Sequence, residues 1–277
     1  MLLREVGYAK PTSVEEAIAL LADNDGARAL AGGQTLINVM KARAASPDVL
    51  VDLNGLDGLA GIELRPDGAL ELGAMTTYTQ LLDSDEAKAR PILGEVCATI
   101  ADVQVRNRGT IGGNVCSNDP TNHLPPLMVA LRAELTIVGR EGERTVPADE
   151  FFLGVYMTAV MPGELLTKIT IPAGRADGFD AVTIGRDGTC ILNAAASLEG
   201  EPRVAIGCVG AVPHRATSVE QKLSGDLSED AVKAAVSGLG AELDPPGDVH
   251  ASAEYRRHLA EVCATRAILQ AAKRQRS

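Results

Sequence analysis

The first fifty residues alternate between helical and strand spacing of apolar positions. An apolar stripe at helical spacing follows Ser13, and Glu16 lies three residues further on, which predicts a helix opened by a capping box. The stripe consists of Val14, Ala17, Ile18 and Leu21. Further along, strands are predicted at 27–30 and 49–53 and a helix at 36–43. The pattern indicates a compact β–loop–α–β unit.

The middle of the chain mixes hairpins with helices. Residues 64–72 predict a hairpin that turns at Pro66-Asp67-Gly68. Apolar spacing predicts a helix over 91–103, with an inward stripe of Ile92, Val96, Thr99, Ile100 and Val103. Another helix is predicted at 124–131, and strands at 135–138, 144–146 and 165–171.

The pattern changes after residue 171. The polar, glycine-rich stretch 172–178 is typical of a linker. Strands at 191–198 and 204–209 are then followed by helices at 228–237 and 254–273, which favours a small α+β domain. We interpret 273–277 as a solvated, frayed end.

The composition is that of an ordinary globular protein, with 45% hydrophobic and 23% charged residues. A net charge of −11 argues against nucleic-acid binding, because contact with phosphates needs a basic face. No apolar stretch reaches membrane-spanning length and no secretory signal is visible, so we expect a cytoplasmic protein. Five scattered cysteines without a C-x-x-C pair exclude the usual zinc and iron–sulfur spacings, and no metal site is predicted. Cys190 is interpreted as a buried small hydrophobic residue rather than a redox thiol.

Two glycine pairs carry the candidate chemistry. The first loop reads Ala-Gly-Gly-Gln-Thr at 31–35, and the second reads Arg-Gly-Thr-Ile-Gly-Gly-Asn at 108–114. Glycines let a ligand approach the main chain, and successive bare N–H groups form a nest that suits a pyrophosphate. Either loop alone is typical of a turn. Together they favour a dinucleotide site, in which Gln34, Thr35 and Asn114 add side-chain hydrogen bonds.

Other nucleotide and catalytic motifs are absent. The sequence contains neither the G-x-G-x-x-G fingerprint nor a P-loop, so a dinucleotide needs another architecture. It also contains no G-x-S-x-G elbow, and we expect no catalytic acid or base in this chain. His123 follows the second loop and is either a ribose or phosphate contact or a polar residue at a helix start. Asp119, before Pro120, is either a turn former or a ligand contact.

With both loops considered, the chain resembles the FAD-binding medium subunit of molybdenum hydroxylases, of the carbon monoxide dehydrogenase and xanthine dehydrogenase type. The resemblance covers nearly the whole chain. Its motifs are Ala-Gly-Gly-Gln-Thr at 31–35, Gly-Ala-Met-Thr-Thr at 73–77, Thr-Ile-Gly-Gly-Asn at 110–114, Pro-Gly-Glu-Leu-Leu-Thr at 162–167 and Glu-Tyr-Arg at 254–256.

The resemblance implies an α+β fold: a two-subdomain FAD-binding fold of the vanillyl-alcohol-oxidase/PCMH type followed by a small α+β C-terminal domain. The implied limits are 1–55 and 56–173 for the FAD-binding subdomains and 178–277 for the C-terminal domain. It also implies that both loops hold the pyrophosphate, that Ile111 approaches the isoalloxazine and that Leu166 packs near the adenine. The implied FAD-binding residues are Ala31, Gly32, Gly33, Gln34, Thr35, Leu36, Thr110, Ile111, Gly112, Gly113, Asn114, Asp119, His123 and Leu166.

Two departures from the family pattern stand out. His123 occupies the place where the family usually has an aspartate near the ribose. The segment 186–190 aligns with a region that often brings an aromatic ring over the flavin, and here it contains neither Tyr nor Phe.

The function that the resemblance implies is electron transfer through non-covalent FAD. Partner chains, an iron–sulfur small subunit and a molybdopterin large subunit, would carry two [2Fe-2S] clusters and the molybdenum site. The alternatives are a self-contained flavin oxidase and an assembly scaffold that has lost its flavin. Intact glycines in both loops argue against the scaffold.

Overall fold

The computed structural model describes residues 3–185, 188–223 and 225–276, and the fold is given for these residues. The chain begins with a parallel sheet in the strand order β1-β3-β2. Its elements are β1 (Gly7–Ala9), α1 (Val14–Asp23), β2 (Ala27–Leu30), α2 (Leu36–Lys41) and β3 (Val49–Asp52). The predicted β–loop–α–β unit is confirmed, and β1 adds a strand that the sequence pattern did not reveal.

The start of α1 differs from the predicted capping box in one bond. The Ser13 side chain accepts a hydrogen bond from Glu16 N at 3.2 Å, as expected. The Glu16 carboxylate, however, accepts from the backbone N–H of Thr12 at 2.6 Å rather than from that of Ser13. The apolar stripe is largely buried, at Ala17, Ile18 and Leu21.

The second part of the chain is built on an antiparallel sheet with helices packed against it. Its elements are β4 (Ile62–Leu64), β5 (Leu70–Gly73), α3 (Tyr78–Asp83), α4 (Pro91–Thr99), α5 (Val103–Arg106), α6 (Ile111–Ser117), α7 (Leu124–Ala130), β6 (Glu134–Gly139), β7 (Gly142–Pro147), α8 (Ala148–Phe151), β8 (Phe152–Gly154), β9 (Met157–Thr158) and β10 (Leu165–Ile171). The five-stranded sheet has the order β4-β5-β10-β6-β7, and β8 pairs with β9 separately. Gly68, at φ +82°, makes the predicted turn of the first hairpin.

The predicted helix over 91–103 is two helices. Helix α4 ends at Thr99, and Ala101 adopts a left-handed conformation at φ +46°. Asp102 then caps α5 by accepting a hydrogen bond from Val105 N at 2.8 Å. Because the helix axis is interrupted, Val103 leaves the predicted buried stripe and is 58% exposed.

The last part of the chain is a four-stranded antiparallel sheet covered by helices. Its elements are β11 (Asp177–Thr183), β12 (Cys190–Ser197), β13 (Arg203–Gly207), β14 (His214–Arg215), α9 (Thr217–Glu220), α10 (Glu229–Val236), α11 (Leu239–Glu242) and α12 (Ala253–Gln275). The strand order follows the sequence, β11-β12-β13-β14. The predicted α+β tail is confirmed, but β11 begins inside the stretch interpreted as a linker.

The C-terminal residues continue a helix and make contacts that the sequence pattern did not predict. Helix α12 continues to Gln275. The Arg274 guanidinium donates to Asp177 O at 2.7 Å and to the Glu95 carboxylate. The interpretation of this end as a solvated fray is therefore wrong for 273–275.

A buried ion pair joins the second and third parts. The Arg90 guanidinium donates to both Asp177 carboxylate oxygens, at 2.6 and 2.8 Å, and also to Pro172 O. Both side chains are at most 3% exposed. Losing one partner would leave an uncompensated buried charge, which costs about 3–5 kcal/mol.

Candidate cofactor site

The first glycine loop connects β2 to α2. Gly33 lies at φ +72°, a conformation that an L side chain rarely adopts. From the neighbouring strand end, Asn54 Nδ2 donates to Ala31 O at 3.0 Å, and Asp52 Oδ1 accepts from both Asn54 nitrogen groups. The loop therefore has a fixed position at the carboxyl ends of β2 and β3. Neither Asp52 nor Asn54 was predicted as a site residue. Asp52 lies in the predicted strand 49–53, and Asn54 directly follows it.

The main chain of this loop is open to a ligand. Within the described residues, the N–H groups of 32–35 have no hydrogen-bond acceptor. Gln34 Nε2 donates back to Gly32 O at 3.2 Å. Successive N–H groups without partners form an anion-binding concavity. The predicted nest is thus present in the first loop.

The second glycine loop is the first turn of a helix. Thr110 caps α6 by accepting a hydrogen bond from Gly113 N at 3.0 Å. Ile111 N donates to Thr76 O and Gly112 N to Ala74 O, both at 2.9 Å. The prediction of bare N–H groups is therefore wrong for this loop, because the segment that follows β5 and the Thr110 cap supply acceptors.

The glycines of the second loop serve close packing. A Cβ on Gly112 would lie 2.6 Å from the Cβ and the carbonyl oxygen of Ala74. A Cβ on Gly109 would lie 2.7 Å from the Tyr78 ring, and Thr110 forms an isolated bridge with Thr77. The loop is held directly against the end of β5 and the start of α3.

The two loops touch each other, although they lie far apart in the sequence. A Cβ on Gly32 would be 2.0 Å from Arg108 O, and one on Gly113 would be 3.6 Å from Ala31 Cβ. Only a glycine at position 32 allows this approach of the two main chains. Residues on both loops thus meet at one place on the surface.

A cavity of about 300 Å³ opens at the first loop. Its lining comprises Leu30, Ala31, Gly32, Gly33, Gln34, Ile37, Asn38, Lys41 and Arg108. Two of these described residues are cations and none is a carboxylate, in a chain whose net charge is −11. A local positive potential beside open N–H groups favours an anion. Lys41 lies outside both predicted loops, whereas Arg108 begins the second loop but is not among the predicted FAD-binding residues.

Several predicted site residues do not line this cavity, and they lie either near the second loop or at the start of α2. Ile111 and Leu166 are buried side chains, at 0% and 5% exposure, so a ligand contact by Ile111 would use its main chain. Asn114 Oδ1 is buried without a hydrogen-bond partner among the described residues. Thr35 and Leu36 lead into α2 at the edge of the first loop.

Asp119 forms the predicted turn. Its carboxylate accepts from Thr121 N at 2.9 Å, and its backbone carbonyl accepts from Asn122 N at 2.9 Å. The second carboxylate oxygen accepts from the Tyr156 hydroxyl at 3.0 Å. The turn-former interpretation is confirmed, and a ligand contact by Asp119 stays a prediction.

His123 is buried where the second and third parts of the chain meet. It is 7% exposed, its ring centroid lies 5.6 Å from that of Phe179, and its Nε2 has no partner among the described residues. Burial lowers the His123 pKa to about 4, so the imidazole is neutral at pH 7. Of the segment that lacks the family's aromatic residue, Arg186 and Asp187 lie outside the described residues.

Known protein families match both the N-terminal and the C-terminal parts of this chain. A family model described as the FAD binding domain in molybdopterin dehydrogenase matches residues 4–174, and one described as the CO dehydrogenase flavoprotein C-terminal domain matches 185–271. The carbon monoxide dehydrogenase medium chain of Afipia carboxidovorans is 38% identical over 283 residues, which cover 98% of either chain. The chain belongs to the FAD-binding medium subunits of molybdenum hydroxylases.

Two further relatives agree with this assignment. The glyceraldehyde dehydrogenase medium chain of Sulfolobus acidocaldarius is 35% identical over 280 residues, covering 97% of this chain and 99% of the relative. A chain in the crystal structure of the Cu,Mo-CO dehydrogenase, in its cyanide-inactivated form, superimposes with a TM-score of 0.92 at 36% identity, covering 99% of this medium subunit and 100% of that chain. The predicted fold class is confirmed, and the protein is an oxidoreductase subunit whose cofactor is FAD.

The residues present fit this cofactor. The open N–H groups of the first loop, with Lys41 and Arg108 beside them, match a diphosphate in charge and hydrogen bonding.

The described residues contain no group of three His, Cys, Asp or Glu side chains that could hold a metal ion. In the part of the chain that the structure describes, no helix has the length and apolar character needed to cross a bilayer.

Proposed function

We propose that this medium subunit transfers electrons from the [2Fe-2S] clusters of a partner subunit, through its FAD, to an external acceptor. The observation that carries the proposal is a cavity that combines open N–H groups with two cations. The described lining of the 300 Å³ cavity contains backbone N–H groups, the side-chain amides of Gln34 and Asn38, and two cations. It contains neither a histidine nor a carboxylate. Such a site binds and orients a cofactor, and FAD supplies the redox chemistry when bound.

In this proposal the first loop binds the pyrophosphate. The N–H groups of 32–35 donate to its oxygens, Lys41 and Arg108 offset its charge, and Gln34 adds an amide. The second loop acts by position, because Gly112 and Gly113 let α6 come close to the first loop and to β5. Asn114, whose Oδ1 has no described partner, is the side chain of the second loop that is available to the cofactor.

The remaining assignments stay predictions and belong to the same proposal. Thr110, Ile111, Asp119, His123 and Leu166 would contact FAD near the second loop. The FAD would be held without a covalent bond, because neither glycine loop contains a His or Cys that could be linked to the isoalloxazine. Acid precipitation should then leave all the flavin in the supernatant, and colour in the pellet would contradict this point.

The proposed partners are an iron–sulfur subunit and a molybdopterin subunit. The relatives are named medium chains or subunits, which implies assemblies of several chains. The proposed domain limits, 1–55, 56–173 and 178–277, would give the assembly two FAD-binding subdomains and one C-terminal domain.

Co-expression with candidate partner chains tests this function. We expect flavin, iron and molybdenum to co-elute with the medium subunit in size-exclusion chromatography. The variant Lys41→Glu/Arg108→Glu should bind FAD about tenfold more weakly yet still co-elute with iron, which separates cofactor binding from assembly. A chain that elutes alone and reduces its own FAD with an organic substrate would instead support a self-contained oxidase.

A further inference from the structure

We propose that Cys190 and Cys208 form a redox-active dithiol, which hydrogen peroxide converts into a reversible disulfide. This modification site lies apart from the cavity at the first loop. It does not depend on the proposed electron transfer, because it concerns only side chains of the C-terminal sheet and the small cavity that borders it.

The two sulfur atoms share one hydrogen-bond donor. Cys190 begins β12, and Cys208 directly follows β13, the antiparallel neighbour of β12. Asn193 Nδ2 lies 3.3 Å from Cys190 Sγ and 3.7 Å from Cys208 Sγ. The same nitrogen donates to Asn122 O at 3.2 Å. Both thiols therefore face the same side chain, on the side of the sheet that meets the segment before α7.

A buried cation favours ionisation at this place. Arg256, which is 5% exposed, donates to the backbone carbonyl groups of Ile191 and Cys208 and pairs with Asp248. A hydrogen bond from the Cys208 thiol lowers the pKa of Cys190, and Asn193 and Arg256 act in the same direction. The pKa of Cys208 is raised, because its thiol donates to Cys190 and because it is buried, and Asp119 adds to that direction. The pair thus combines a cysteine whose ionisation to the reactive thiolate is favoured with a neighbouring thiol that donates to it.

A small cavity borders Cys208, one member of the pair. Cys208 is 6% exposed and lines a cavity of about 10 Å³ between the segments 118–126 and 207–213. A volume of this size holds roughly one water molecule. Cys208 lies at φ +63°, so the chain turns sharply at this residue as β13 ends. Hydrogen peroxide, which is small and uncharged, fits such an approach better than a bulky disulfide reagent.

The other cysteines lack this arrangement. Burial raises the pKa of Cys97 and of Cys116 to about 12, so both stay protonated and unreactive. The pKa of Cys263 is raised by burial first and then by Asp180. Cys263 also lies within electrostatic reach of Cys190, so it is the competing partner that an experiment has to distinguish.

The reaction balances with hydrogen peroxide as the oxidant. One sulfur attacks the peroxide, a sulfur–oxygen bond forms, the oxygen–oxygen bond breaks, and one water leaves after protonation. The second sulfur then attacks the sulfur of the sulfenic acid, the sulfur–sulfur bond forms, the sulfur–oxygen bond breaks, and the hydroxyl group leaves as a second water after protonation. The two thiols lose two electrons and two protons in total, and the peroxide is reduced to two molecules of water.

The test is limited oxidation of the full chain with hydrogen peroxide, followed by thiol blocking, digestion without reduction and mass spectrometry. We expect a cross-link between the peptides that contain Cys190 and Cys208, which disappears after dithiothreitol treatment. The control Cys97→Ala should keep the cross-link, whereas Cys190→Ala and Cys208→Ala should abolish it.

Mapping of the wild-type chain decides the matter even if a variant folds poorly. A cross-link between Cys190 and Cys263 would overturn the proposal. Sulfinic acid at Cys208 without a cross-link, or full alkylation of both thiols after oxidation, would also overturn it.

Discussion

The two glycine loops have nearly the same sequence character and opposite states of their main chains. In the first loop, the N–H groups of 32–35 have no acceptor among the described residues. In the second, the N–H groups of 111–114 donate to Thr76, Ala74 and Thr110. The first loop therefore has main-chain donors that are open to a ligand, whereas the second loop is packed against its neighbours.

The difference shows that a glycine in such a pair can be required for either of two physical reasons. Gly33 is required by its backbone conformation, φ +72°, beside a cavity. Gly112 is required by contact, because the main chain of Ala74 leaves no room for a side chain. The sequence alone does not distinguish these causes, since glycine satisfies both.

The largest effect is expected at His123, on the packed side of this comparison. The folded-state pKa of about 4 lies below the ordinary value of 6.5, so the unfolded chain binds the proton more readily. Stability contributed by the neutral ring is present above pH 6.5 and is lost as the pH falls towards 4, by about 3 kcal/mol. Urea denaturation at several pH values should show a shallower loss for His123→Gln. Equal pH dependence in both proteins would contradict the buried, neutral imidazole.

The next effect distinguishes the two loops directly. Gly112→Ala places a Cβ against the Ala74 main chain, and we expect a loss of about 2 kcal/mol in the free energy of unfolding. In Gly33→Ala the new Cβ meets only the ends of the Ile37 and Leu30 side chains at 3.3 Å, and the backbone conformation costs about 1 kcal/mol. Chemical denaturation of both variants without FAD measures the difference. A greater loss for Gly33→Ala would reverse the assignment of binding and packing roles.

A smaller effect is expected for the charges of the first loop. In Lys41→Glu/Arg108→Glu, two exposed cations at the cavity become anions, so FAD affinity should fall about tenfold, or about 1.4 kcal/mol. Flavin fluorescence titration gives the dissociation constant. Lys222→Glu, an exposed charge reversal in the C-terminal part, is the matched control and should leave the affinity unchanged. Equal FAD affinity of the control and the double variant would contradict a role of the Lys41 and Arg108 charges in cofactor binding.

The smallest effect concerns the helix cap of the second loop. Thr110→Ala removes the acceptor of Gly113 N and should cost about 1 kcal/mol of stability. Thr110→Ser keeps the hydroxyl and should recover most of that loss. Thermal unfolding of the three proteins is the measurement, and equal stability of the alanine and serine variants would show that the cap contributes nothing.

Local patterns predicted the elements well where the elements are stabilised locally. The β2–loop–α2–β3 unit follows from apolar spacing and a glycine turn, and β10 has the predicted limits. The predicted linker at 172–178 includes the first two residues of β11, Asp177 and Gly178, because they are polar and small. The strand is fixed by distant groups: Asp177 pairs with Arg90, and Gly178 allows the α12 main chain at Ala267 to approach.

The candidate site was predictable in its motifs but not in its electrostatics. The glycine pairs and their neighbours stand out in the sequence. The contact between Gly32 and Arg108, and the placement of Lys41 at the same cavity, depend on how α2 and the second loop pack. The acceptors that close the second loop, Ala74 and Thr76, lie in the motif at 73–77, whose sequence does not reveal that its carbonyl groups face this loop.

Amide hydrogen exchange of the flavin-free and FAD-loaded protein tests the central claim most directly. Without FAD, the amides of 111–114 should already exchange slowly, whereas those of 32–35 should exchange rapidly because they lack acceptors. On binding, FAD should slow exchange at 32–35 and change 111–114 little. If FAD instead protects 111–114 and leaves 32–35 unchanged, the first loop is not the binding surface for the pyrophosphate.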